Sequence, residues 1–298
     1  MVDARDDRPV AVIGLGLMGE VFSNRLIGAG IPVTGYDIDP ARRARLAEIG
    51  GVPANSIADL TAPARCIAIA VFNTDQVEDV IENHLLPALG PGSNKIVLCM
   101  STCDPDRVAA LAARVIPRGI RYLDTPVSGT SDQVRRGDGV ALIGGDPAIA
   151  QEVKPVLDAL FARYFHVGRI GDGGRAKLAV NLILGLNRLA LAEGLVFAER
   201  LGLDPAAFLE VARGSASYSQ VMDTKGPKMV RGDFSPEGRV RQTLKDAHLM
   251  LEQAAAVGQK LAMLECHADV LEACARAGEA DLDNSAIIKE VRRRTTQS

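Results

Sequence analysis

The chain has 298 residues, enough for about two domains of ~150 residues each. With 34 Lys and Arg against 37 Asp and Glu, its formal net charge is −3 and its pI about 5.9, which argues against a nucleic-acid or anionic-membrane partner. Aromatic residues make up 4% and Trp is absent, so the core must be aliphatic and base-stacking platforms are not expected.

Residues 9–14 (PVAVIG) are a short apolar run ending in glycine, the pattern of a buried strand. The turn Gly14, Leu15, Gly16, Leu17, Met18, Gly19 follows at once, then a helical pattern to Ala29 that Gly30 closes. A second strand, 32–36, ends at Asp37, and Asp39-Pro40 opens a helix with Asp as N-cap and Pro in the first turn. Strand-like runs recur at 66–71, 95–100 and 120–124, with helical stretches at about 75–89 and 105–115 between them. The runs 139–143 and 163–167 add edge strands around a helix over 147–160. This alternation predicts an α/β fold of the Rossmann type, doubly wound around a mainly parallel sheet.

After Gly168 the alternation stops. Gly171-Asp-Gly173-Gly174 is a turn cluster, and beyond it only helical patterns appear: 175–200, 204–212, about 240–257, 260–277 and 284–294, with a less regular connection over 214–238. The expected division is a dinucleotide-binding domain over 1–170 and an all-helical domain over 171–298, joined by the long helix. The 175–200 stretch is apolar almost all the way round, which predicts a buried helix. It nonetheless carries Lys177 and Asn181 four residues apart, on one face. Alone, these two read equally well as a solvated Lys and a satisfied core Asn.

The chain opens with the charged stretch MVDARDDRP, without the apolar segment of a signal peptide, and the long helix is too polar for a membrane span, so a cytoplasmic location is expected. Five cysteines without paired spacing read as reduced and mostly buried, and four scattered histidines as ordinary packing; no metal site is expected.

A G-x-G-x-x-G sequence is weak on its own, but here it follows a strand, opens a helix and precedes an acidic residue, Asp37, 18 positions after Gly19. Gly14 permits the tight turn, Gly16 lets the backbone approach a pyrophosphate, and Gly19 allows close helix–strand packing. Asp37 is placed to accept from a ribose 2′-hydroxyl, which favours NAD. Arg42 and Arg43 could instead reach a 2′-phosphate, which leaves NADP possible, or simply form an exposed helix face. After the 120–124 strand, Ser128, Gly129 and Thr130 offer consecutive N–H groups and hydroxyls that suit a carboxylate, though an ordinary β-turn reads the same way.

These pieces, in this order, resemble the β-hydroxyacid dehydrogenase family, which includes 3-hydroxyisobutyrate dehydrogenase, tartronate semialdehyde reductase, L-threonate dehydrogenase and 6-phosphogluconate dehydrogenase. The resemblance covers nearly the whole chain: the turn Gly14–Gly19, the segment Asp124-Thr-Pro-Val-Ser-Gly129, the glycine turn leading to Lys177 and Asn181, and the pair Lys245-Asp246. It implies an NAD(P)-dependent oxidoreductase acting on a small carboxylate-bearing 3-hydroxy acid or semialdehyde. Lys177 is then the acid/base, Asn181 positions the hydroxyl, and Ser128, Gly129 and Thr130 hold the carboxylate. Val71, Phe72 and Thr102 line the nicotinamide side, and Lys245 closes over the cofactor. It also implies a homodimer or homotetramer built through the helical domain. Three departures stand out: Thr130 replaces a second glycine, Val180 the first Asn of a usual pair, and Phe72 a frequent proline.

The chemistry agrees with the residues. Oxidising an alcohol needs a base for its proton while hydride leaves to nicotinamide, and no histidine lies in these motifs. A Lys amine titrates ordinarily near ~10.4, so partial burial and the positive nicotinamide ring would have to lower it. The rival readings are an imine reductase on the same scaffold, whose members commonly lack the Lys, and a catalytically silent nucleotide-binding protein.

Overall fold

The computed structural model describes residues 8–90 and 92–294; the charged opening stretch, residues 1–7, and the outer limits of the two expected domains lie outside them. The chain divides into two compact units, Met1–Lys177 and Leu178–Ser298.

Nine strands of the first unit form one sheet: β1 (Val10–Ile13), β2 (Val33–Tyr36), β3 (Val52–Pro53), β4 (Cys66–Ile69), β5 (Lys95–Cys99), β6 (Ile120–Asp124), β7 (Val127–Ser128), β8 (Val140–Gly145) and β9 (Arg163–Gly168). The order is β3-β2-β1-β4-β5-β6-β8-β7, with β9 also paired to β8. From β3 to β6 all pairings are parallel; β8 runs antiparallel to β6 and β7, and β9 returns parallel to β8. Strand order reverses between β1 and β4, the point where doubly wound sheets open a crevice at the carboxyl ends of their strands.

The apolar runs read as buried strands because both faces of this sheet are covered. Val10, Val12, Cys66, Ala68, Ile96 and Leu98 pack on one side with Phe22, Leu26, Leu157 and Phe161. Their alternates Ala11, Ile13, Ile67, Ile69, Val97 and Cys99 pack on the other with Leu60, Val77, Ile81, Val108 and Leu111. Each such fully buried Leu or Ile contributes about 2 kcal/mol. The second unit is helical, with a core of Leu178, Leu189, Leu195, Val196, Leu209, Met250, Leu264, Leu271 and Ile287. All five cysteines are free, four of them buried and Cys266 exposed.

Several elements depart from the sequence pattern. The stretch 75–89 is helical, but its middle, Val80–Leu85, is π-wound ahead of Pro87, whose missing N–H the wider turn accommodates. The expected helix over 147–160 is two, Pro147–Glu152 and Lys154–Leu160, because Pro155 cannot donate to the preceding turn. The irregular connection contains short helices at Gln220–Thr224 and Gly226–Arg231. The long helix starts earlier than the pattern implies and runs Asp172–Arg200. It is also not buried all round: Ala179, Ile183, Ala190 and Phe197 share a face that stays exposed in the single chain, Ile183 at 62% and Phe197 at 65%.

Candidate active site

The glycine turn sits between the end of β1 and the helix Leu17–Gly28. Gly14 has φ +88°, and a Cβ there would stand 2.6 Å from the Ala70 carbonyl oxygen and 3.1 Å from Val71. Gly19 is fixed by packing too, since its Cβ would collide with the Gly14 carbonyl. Gly16 is different. A Cβ at that position would meet only the Arg42 guanidinium, at 3.6 Å. The chain's own packing therefore does not require a glycine at residue 16, whereas a pyrophosphate lying against the backbone does. Gly16 is also the helix N-cap and offers no capping side chain, so the first N–H groups of Leu17, Met18 and Gly19 present the positive end of the helix. The residues present fit a dinucleotide.

Asp37 stands just past β2, buried at 6% exposure. Its Oδ2 accepts from the Leu15 N–H at 2.7 Å and from Arg42 Nη1 at 3.2 Å, and its Oδ1 from the Asp39 N–H at 2.9 Å. This carboxylate braces the glycine turn. Arg42 lies between Asp37 and Gly16, whereas Arg43 donates to the Asp37 carbonyl at 2.5 Å and lies over the Tyr36 ring. Of the two arginines, Arg42 is the one beside the glycine turn.

Val71, Phe72 and Thr102 follow β4 and β5 at the same carboxyl edge. The Val71 N–H donates to Ser101 Oγ at 2.9 Å, and Ser101 Oγ donates back to the Val71 carbonyl at 2.8 Å, which ties the two loops together. Phe72 is 36% exposed, and its N–H donates to Gln76 Oε1 at 2.8 Å. Thr102 is buried beside Ser101.

Ser128 ends the two-residue β7, and Gly129 follows with φ +134°. Thr130 is committed to the next helix, Ser131–Arg136. Its hydroxyl accepts from the Gln133 N–H at 3.2 Å, and its own N–H donates to Gln133 Oε1 at 2.8 Å, a reciprocal capping box. The Thr130 N–H is thus taken out of the row of donors that the sequence offers to a carboxylate.

Lys177 occupies the second turn of the long helix and is buried at 6% exposure. The turn before it is held by Asp124, the last residue of β6. Asp124 Oδ2 accepts from the Gly171 N–H at 3.1 Å and the Gly174 N–H at 2.8 Å, a carboxylate against a helix N-terminus. Burial pushes Asp124 up to about 6, against the pull of those two N–H groups. Asn181, one turn past Lys177, donates through Nδ2 to Asp246 Oδ2 at 2.9 Å. Asp246 Oδ1 in turn lies 3.0 Å from Lys245 Nζ.

The structure therefore gathers the glycine turn, Asp37, Val71 and the loop bearing Thr102 at one sheet edge, and Asn181, Asp246 and Lys245 in one polar chain of the helical unit. Lys177 and Asn181 share a helix face. Asp124 and Asp246 are the residues whose parts the motifs do not announce. The one sign of Asp246 is the acidic neighbour of Lys245, and of Asp124, a charged residue closing an apolar strand.

A family model described as the NAD binding domain of 6-phosphogluconate dehydrogenase matches residues 9–168. A second, described as the NAD-binding of NADP-dependent 3-hydroxyisobutyrate dehydrogenase, matches residues 171–291. The chain is similar to 2-hydroxy-3-oxopropionate reductase of Escherichia coli, 32% identical over 279 residues that cover 93% of this chain and 94% of that protein. Among solved structures it is similar to a 3-hydroxyisobutyrate dehydrogenase from Salmonella typhimurium, with a TM-score of 0.87 and 27% identity over 95% of this chain and 99% of that one. An imine reductase from a Pseudomonas species aligns with a TM-score of 0.64 and 22% identity over 96% of this chain and 99% of that one, a likeness in fold alone.

Proposed function

The chain belongs to the β-hydroxyacid dehydrogenase family of NAD(P)-dependent oxidoreductases, and from that premise we propose that it interconverts a small carboxylate-bearing 3-hydroxy acid and its semialdehyde, with Lys177 as general acid and base. The observation that carries this reading is the placement of Lys177: a buried amine, one turn from an amide, on a helix whose first turn is clamped by Asp124.

NAD(P), when bound, would supply the hydride-transfer chemistry. The chain's own residues do the rest. The glycine turn and the open helix end would hold the cofactor's pyrophosphate. Lys177 Nζ takes the hydroxyl proton in oxidation and returns it in reduction. Asn181 orients the same oxygen without titrating: Asp246 holds one hydrogen of its Nδ2, which leaves the second to donate to the substrate oxygen. Ser128 and Gly129 take the substrate carboxylate, with Thr130 acting through its cap. Lys245, beside Asp246, is in this reading a cofactor-binding residue.

Replacing Lys177 with Ala should lower kcat by about 10²–10⁴ while cofactor Kd stays near that of the wild type. Turnover near the wild-type level would remove Lys177 from the mechanism. Asp37, just past the end of β2, favours NAD in this reading. Comparing kcat/KM for NAD⁺ and NADP⁺ in wild type and Asp37→Ala should show the discrimination falling in the variant, and an unchanged ratio would assign the choice to Arg42. We place the enzyme in the cytoplasm as a homodimer or homotetramer. The imine reductase reading has a likeness in fold behind it, and a chain that keeps Lys177 on its helix does not need it.

A further inference from the structure

The long helix carries another polar residue on the face that holds Lys177 and Asn181. Arg188 lies seven residues past Asn181 and is buried at 8% exposure. Its Nε and Nη1 have no hydrogen-bond partner among the described residues. His267, on the helix Ala262–Arg276, is 1% exposed, and neither of its ring nitrogens has a partner among them. The imidazole reaches the long helix because residue 185 is glycine: a Cβ there would stand 2.7 Å from His267 Cε1 and 3.0 Å from Nδ1. Gly185 and Arg188 are three residues apart on one side of that helix, so the orphaned guanidinium and the orphaned ring share one interior.

No carboxylate is hydrogen-bonded to Arg188 among the described residues. The carboxylate whose charge it feels is Asp283. That group is already saturated: Oδ1 accepts from Lys225 Nζ at 3.0 Å, the Ser285 N–H at 3.0 Å and Ser285 Oγ at 2.8 Å, and Oδ2 from Lys225 Nζ at 2.9 Å and the N–H groups of Glu237 and Gly238 at 3.0 and 3.2 Å. Lys225, the neighbouring cation, is spent on Asp283 and Glu237. Burial lowers Arg188 only to about 10, so it is charged at neutral pH. The same burial, with the Arg188 charge second, holds His267 down to about 4, so the ring is neutral and keeps one N–H to donate. A buried cation with no anion bonded to it is unfavourable, and water would fill the hydrogen bonds without bringing a negative charge to the guanidinium.

We propose that Arg188 and His267 bind one small monovalent anion, of halide or formate size, inside the helical unit. A guanidinium with no anion bonded to it calls for one negative charge, and donors on two sides suit a compact ion rather than a phosphate. Arg188 is 11 residues from Lys177, about 16 Å along the helix at 1.5 Å per residue, beyond the span of a small hydroxy acid. The site is thus separate from the proposed reaction and does not depend on it.

Bromide tests this on the full chain. Crystals grown with bromide should show an anomalous peak in contact with Arg188 and His267. In solution the thermal midpoint of the wild type should climb with the logarithm of bromide concentration at constant ionic strength. In Arg188→Met it should be flat against bromide. The His267 ring, followed by NMR in the wild type, should titrate at a higher pH when bromide is present, a reading that needs no variant to fold. Density at the site without anomalous signal means water and overturns the proposal. A crystal peak with no bromide dependence in solution means an adventitious ion only, and also overturns it. So does a bromide response that survives in Arg188→Met.

Discussion

Asp124 is a carboxylate placed where burial and hydrogen bonding oppose each other. Two N–H groups of the Gly171–Gly174 turn favour its ionised form, yet burial dominates and raises it from 3.8 to about 6. A carboxyl raised in the folded state gives stability that is full below the unfolded value of 3.8 and is lost as pH climbs through about 6. The shift corresponds to about 3 kcal/mol as an order of magnitude. Asp124→Asn keeps an acceptor for both N–H groups and cannot ionise. Urea midpoints taken from pH 4 to 7 should therefore show the variant gaining on the wild type as pH rises. A difference that stays constant with pH would mean that the Asp124 charge is not what the clamp bears.

At the scale of elements, the glycine turn separates what the chain needs from what its cofactor needs. Gly14→Ala should both destabilise the fold and abolish dinucleotide binding, because its Cβ meets backbone at 2.6 Å in a left-handed conformation. Gly16→Ala should melt near the wild-type temperature and still bind NAD(P)H much more weakly, by fluorescence titration. Loss of stability in both variants would make Gly16 a packing glycine instead. The turn was readable from sequence because its strand, its helix and its acidic partner lie within one short local stretch. What escaped the sequence was built by residues far apart. The two-residue strands Val52–Pro53 and Val127–Ser128 exist only through pairing with β2 and β8. The Asp124 clamp joins residues 47 and 50 positions apart. Thr130 was legible as a polar loop residue but not as a cap, since the cap depends on how Gln133 folds back. The π-wound turn at Val80–Leu85 and the break at Val153 trace to prolines, whose presence is plain while their local remedy is not.

For the molecule as a whole, the exposed apolar residues of the long helix and its neighbours call for a covering surface. Ile183 and Phe197 on that helix, with Leu201, Leu203 and Val211 beyond it, all stand more than half exposed in the single chain. A second copy of the chain is the occupant that the proposed homo-oligomer supplies. Sedimentation of the wild type should give a mass of at least twice 31.5 kDa at working concentration, and Phe197→Glu should move it toward the single chain. A wild type that sediments as one chain would leave that stripe bare and the oligomer unsupported.

The boundary between the compact units falls between Lys177 and Leu178, inside one uninterrupted helix. There is no slack at that place for a protease to enter or for recombination to use. A crossover between relatives made there would have to preserve helical phase to the residue, or rotate every side chain that follows. The nearest loop available for exchange lies upstream, between Gly168 and Gly171, and cutting it would part Asp124 from the N–H groups it holds. The proposed proton carrier is thus inherited with the sheet and Asn181 with the helices, and neither half can be traded for another family member's unless the helix that strings them together is traded too.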